Sequence, residues 1–210
     1  MPIPRNLRSK RLVFSGEVRS KVLPDVKDVM VFVNGLPDRL KLYALLAWNT
    51  GMSNTDIAHL KERQFDLVAG TLRRKRVKTK KWESVPTVVY ALWPETARLL
   101  AQEMTRGAEF ALLDKNGKPL IVTSKDNGSK HSFYDKIKSK WRDALGDTPY
   151  TMKDFRDFGS LLQQNSKYRV YRVAWLGHTP KEVHDKHYRG EEDVTEACRW
   201  LLERITDLSK

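Results

Sequence analysis

Residues 151–188 read TMKDFRDFGSLLQQNSKYRVYRVAWLGHTPKEVHDKHY, and their periodicity decides the fold class. From Thr151 to Gln164 the apolar side chains Met152, Phe155, Phe158 and Leu162 return every three or four residues, which places them on one side of an α-helix. Lys153, Arg156 and Ser160 fall on the other side, so that face is polar and basic. A second helix is predicted over Tyr168–Leu176, stopped by Gly177, a residue suited to the turn that closes a helix.

The same helical period extends outward. It predicts helices over Asp25–Val33 and Asp38–Asn49, with Gly35 and Gly51 as C-terminal caps, and a short one through Leu60 opened by a Ser53–Asp56 capping box. Further helices are expected from Pro94 to Gln102, Ser132 to Leu145 and Val194 to Asp207. Between Gly70 and Tyr90 the period is lost. Thr71, Val77, Thr79, Val85, Thr87, Val88 and Val89 flank a polar turn near Lys80–Glu83, the pattern of an antiparallel hairpin. Lys115-Asn116-Gly117 reads as a turn. The fold class is mainly α with a small antiparallel β-sheet. Residues 1–22 (Arg5, Arg8, Lys10, Arg11, Arg19, Lys21) read as a basic arm or linker, and 23–210 as one domain.

Charge narrows the function. The 210 residues hold 39 Lys plus Arg against 26 Asp plus Glu, a formal net charge of +13 that points to a polyanionic partner, nucleic acid first. The lone Cys198 makes no internal disulfide, and its apolar helical setting suits a buried small residue in a reducing compartment. Leu42–Trp48, the longest apolar run, is far below the roughly 20 residues of a membrane span, and Met1–Phe14 has no apolar signal core. The expectation is a soluble cytoplasmic protein with no membrane partner. Phosphate-cradling glycine loops, H-E-x-x-H and G-x-S-x-G are absent. His178, His184 and His187 with Glu182 and Asp185 lack a recognised metal-ligand spacing, so no metal is assigned.

What remains is an ordered set: Thr50-Gly51-Met52 before a short helix, Lys78-Thr79-Lys80 running to Pro86 on the hairpin, Lys153-Asp154-Phe155-Arg156-Asp157, Leu176-Gly177-His178, and His187-Tyr188. In that order and spacing the set resembles the catalytic domain of the tyrosine recombinases, the phage-integrase family of DNA breaking-rejoining enzymes, over roughly residues 36–208. The resemblance implies a domain that grips double-stranded DNA and cuts one strand through a 3′-phosphotyrosine, with no metal or nucleotide cofactor, in integration or recombination of a mobile element. It makes Tyr188 the nucleophile and Arg156 the second of two phosphate-binding arginines. Lys78 becomes the proton donor to the leaving oxygen, and His178 a group that bonds the phosphate or assists proton transfer.

Two catalytic groups of the family pattern are replaced, and two further features differ. Ser53 stands where the first arginine is expected, and Lys153 where a histidine is expected; Asp157 follows Arg156, and His178 and Tyr188 stand ten residues apart, one more than the family spacing. Removing one preorganised donor typically costs about 10²- to 10³-fold in rate. Lys153 is expected to compensate in part from one turn before Arg156, and Arg74 and Arg76, which share strand parity with Lys78, to reach DNA and supply positive charge. Arg74, Arg76, Lys80, Lys81 and Ser53 are the expected DNA contacts. The alternatives are a catalytically degenerate relative that binds DNA without cutting it, and a nicking and closing enzyme of the type IB topoisomerase kind. The C-terminal helix around Cys198, Trp200 and Leu201 is expected either to dock on a neighbouring subunit in a homo-oligomer on DNA or to pack on its own domain. Trp48, Trp93, Trp141, Trp175 and Trp200 read as core, and Trp82, among lysines, as the exception.

Overall fold

The computed structural model describes residues 24–79, 85–125, 131–178 and 191–210. The chain's hub is α2 (Asp38–Thr50), in which every residue from Leu42 to Thr50 is buried. A helix buried on all sides needs neighbours on all sides, and α1 (Val26–Asn34), α3 (Asn54–Ala58), α4 (Pro94–Glu103), α6 (Met152–Gln164) and α8 (Thr195–Leu208) supply them. Between α2 and α6 lies an aromatic cluster. Phe155 meets Trp48 at 6.0 Å, Trp141 at 5.7 Å and Phe158 at 6.0 Å between ring centroids, mostly edge to face or tilted. Trp48, Trp93, Trp141 and Trp175 are all buried, as the helical pattern predicts, whereas Trp200 is only partly buried against the core; Trp82 lies outside the described residues.

One sheet has the order β1 (Phe65–Asp66), β2 (Thr71–Lys75), β3 (Thr87–Ala91), β6 (Glu191–Asp193). β2 and β3 pair antiparallel with Arg73 opposite Val89, as the hairpin reading predicts, whereas β6 joins β3 in parallel, so the sheet is mixed. The hairpin is shorter than the sequence suggests. The β2–β3 ladder ends at Lys75, and Val77–Thr79 turn into a 3₁₀ segment, because the Val77 N–H donates to Asp56 Oδ1 (2.9 Å) instead of to β3. Lys78 therefore sits in a turn, out of the strand alternation assigned to it.

A second correction concerns residues 132–145. The predicted helix begins only at Lys136: α5 is Lys136–Leu145, and His131–Asp135 form β5, paired antiparallel with β4 (Ile121–Lys125). Asp135 makes the break by accepting from the Lys138 N–H (2.9 Å) as N-cap. The helix predicted over Tyr168–Leu176 is a 3₁₀ segment over Lys167–Tyr171 followed by a four-residue α-helix, and the remaining helices stand close to their predicted ranges. Ser53 caps α3 in a full capping box, Gly51 closes α2 at φ 63°, and Leu176 ends α7 (Arg172–Trp175) before Gly177.

A buried amide ties the centre together. Asn49 Nδ2 donates to the Ala91 carbonyl (2.9 Å) while its Oδ1 accepts from Trp93 N (2.8 Å). Its backbone carbonyl accepts from Trp175 Nε1 (3.1 Å) and from Cys198 Sγ (3.5 Å). Most buried polar groups find such partners, and here they come from the sheet, the start of α4, α7 and α8. The apolar face of α8 is spent on its own domain: Cys198 and Leu201 are fully buried, and the thiol is pushed up to about 12 by burial. No helix among the described residues is long and apolar enough to cross a membrane.

Candidate functional site

The end of α2, the start of α3, strand β2, the exposed face of α6 and the loop after α7 meet at one place. Gly177 allows it. At φ 65° it turns the chain back, and a Cβ there would stand 3.1 Å from Arg76 Cβ and 3.3 Å from Arg74 Nη1. The residue that follows is His178, whose Nε2 lies 3.1 Å from Arg156 Nη2. A guanidinium can only donate, so Nε2 is the acceptor and the imidazole is neutral with its proton on Nδ1. Burial, then the charges of Arg76, Arg156 and Arg74, push the His178 pKa down to about 4, against an ordinary 6.5. Arg156 is lowered by burial and by Arg76 and Arg74, and its Nε is buried with no hydrogen-bond partner among the described residues.

Arg74 is the most deeply set member. Strand alternation was expected to aim it at DNA from an open face; the structure corrects this, since Arg74 is 3% exposed. Its neighbour parity is right, but inward is the buried side: the burial of Thr71–Lys75 alternates, with Leu72 and Arg74 inside. The guanidinium lies over the Tyr90 ring at 5.1 Å, donates from Nη2 to the Thr50 carbonyl (3.1 Å) and forms an ion pair with Asp56 (3.6 Å). Burial alone pushes Asp56 up, but Arg74 and the hydrogen bonds from Val77 and Ser53 outweigh it and hold the carboxylate below its ordinary range. Arg76 is half-buried beside this group.

Other expected site residues are engaged differently or lie outside the described residues. Ser53 Oγ donates to Asp56 Oδ2 (2.8 Å), so its side chain serves the helix cap. Lys153 Nζ pairs with Asp157 Oδ2 (2.6 Å) and is 69% exposed. It lines, with Ser53 and Arg156, a cavity of about 700 Å³ between α3, α5 and α6. Lys78 is exposed. Tyr188, Lys80 and Lys81, like His184 and His187, lie outside the described residues. Sequence reasoning missed Asp56 as the partner of Arg74; an acidic residue at N3 of a helix is explained locally by the cap, which hid its second contact.

The arrangement has the chemistry of an anion site. Three arginines and a neutral imidazole gather around one buried carboxylate, leaving positive charge and donor groups in excess. No protein-family model matches the chain, and no curated protein sequence matches it. Among solved structures it is similar to the Tn1549 transposon integrase in complex with a circular intermediate DNA, at 12% identity over 92% of this chain and 68% of that one, with a TM-score of 0.52. A complex of the same integrase with transposon right end DNA gives 14% identity over 90% and 67%, with a TM-score of 0.51. The chain has the integrase fold.

Proposed function

We propose that this domain binds duplex DNA and breaks and rejoins one strand at a time through a 3′-phosphotyrosine on Tyr188, in DNA integration or recombination. The observation that carries the reading is the Arg156–His178 contact: two residues of the ordered sequence set, 22 positions apart, meet at 3.1 Å inside a cluster of cations. The solved relatives of this fold, complexes of a transposon integrase with DNA, support the same partner.

The chemistry follows from the groups. The Tyr188 phenolate oxygen bonds to the scissile phosphorus as the bond to the 5′-oxygen breaks, and the phosphate remains esterified for a later 5′-hydroxyl to reverse the step. Charge grows on the non-bridging oxygens, where the fixed donors of Arg156 stabilise it. His178, held neutral with Nε2 turned to Arg156, has its Nδ1–H to donate to a phosphate oxygen, and Lys78 is suited to give a proton to the leaving oxygen while the phenol proton passes to water.

The second reading, a domain that binds DNA without cutting, is favoured by one observation: Ser53 is engaged in a cap and Lys153 in an ion pair, so neither fills the role it replaces. Nicked suicide duplexes trapped in SDS separate the two. The proposal expects a covalent DNA adduct in the wild type that Tyr188→Phe abolishes; DNA binding with no adduct in either would replace it by the second reading.

A further inference from the structure

Arg74 has more donors than the described residues use. The side chain is nearly fully buried, yet its Nε and Nη1 have no hydrogen-bond partner among the described residues, Asp56 standing just beyond reach of Nη1 at 3.6 Å. A buried guanidinium N–H left without an acceptor loses its hydration without compensation, and such groups call for an explanation. Its surroundings supply one. The guanidinium contacts Thr50 and Asp56, which bracket Ser53 on either side, so it fills space beside the position from which an arginine is missing. It also abuts Gly177 and acts on both Arg156 and His178.

We propose that Arg74 is the second guanidinium of the phosphate pocket, reaching from β2 to the place Ser53 leaves vacant of charge. This rests on the reading of the cluster as a phosphate site and adds the residue that completes it. Asp56 then holds two jobs: it caps α3 and it pairs with Arg74 Nη1, so that the Nε edge is kept for an oxyanion. A swap of this kind keeps the pocket's charge while moving its covalent anchor from the loop after α2 to a strand.

The test uses the whole chain and inorganic phosphate as probe. Side-chain Nε–H resonances of arginine, assigned by substitution, are followed during titration. The Arg74 and Arg156 signals are expected to move on one isotherm, and Arg74→Lys, which keeps the charge but loses the fork, to weaken phosphate binding on the order of tenfold. Movement of Arg156 without Arg74, movement of neither, or an unchanged affinity in Arg74→Lys overturns the inference. Should Arg74→Lys fail to fold, the wild-type titration decides alone. Adduct formation is scored separately. Equal trapping by wild type and folded Arg74→Lys would sink the role of Arg74 and leave the strand-transfer reading intact. No adduct in the wild type, with both arginines on one isotherm, would sink strand transfer and leave the two-arginine pocket standing.

Discussion

Arg73 and Arg74 are adjacent on β2 and chemically identical, yet they live in different media. The Arg73 side chain is 61% exposed and pairs with Glu191 on β6; that of Arg74 is 2% exposed, between Asp56, Thr50 and the Tyr90 ring. One step along a strand turns a side chain to the opposite face, and here that step separates a solvated charge from one embedded in the centre of the domain. An exposed pair gains little because water and salt already stabilise each partner, whereas a buried charge is held only by what the fold brings to it.

The comparison breaks if the two arginines respond alike to removal. Arg74→Ala strands Asp56 in the interior, and urea unfolding is expected to show a loss of about 3–5 kcal/mol, the range for breaking a buried pair. Gly177→Ala tests the inner face from the other side. The alanine must adopt a left-handed conformation and bring its Cβ against Arg76 and Arg74, for an expected cost of about 1–3 kcal/mol, with a matching loss of anion binding. A normal urea midpoint in that variant would show that the loop after α7 is not held against β2.

Acid sharpens the comparison further. In the unfolded chain His178 takes up a proton near its ordinary pKa of 6.5, while in the fold it does so only near 4, since burial and then Arg76, Arg156 and Arg74 oppose its charge. The unfolded state thus binds more protons between those values, so this contribution is complete above pH 6.5 and is lost as pH falls toward 4. The urea midpoint is expected to drop over that window, and less so in His178→Gln. The smallest effect belongs to the outer face: Arg73→Ala should change stability by no more than about 1 kcal/mol and do so less at high salt.

Local signals were readable in the sequence, and contacts between distant segments were not. The capping box at Ser53, the closure at Gly51 and the two-faced α6 are written within four residues of where they act, and the structure contains all three. Residues 132–135 show the limit: their apolar spacing continues a helical period, but pairing with β4 claims them, and Asp135 was the available signal for the true start of α5. That Arg156 and His178 belong to one place was expected only through the resemblance, and their direct contact was not foreseen. The burial of Arg74 did not, because within Arg73-Arg74-Lys75-Arg76 nothing local distinguishes the one cation that meets Asp56, Thr50 and Tyr90.

Asn49 gives the site a property that no residue at its surface could confer. Because one amide and its carbonyl bind the sheet, Trp93, Trp175 and Cys198 together, the segments that carry Thr50 and His178 have a common foundation with the C-terminal helix. Opening the pocket means pulling at least one of these partners from a fully buried amide, so the pocket and the domain belong to a single cooperative unit. The amide protons of Gly51 and Leu176, which close α2 and α7, are then expected to exchange with solvent only as fast as the whole domain unfolds.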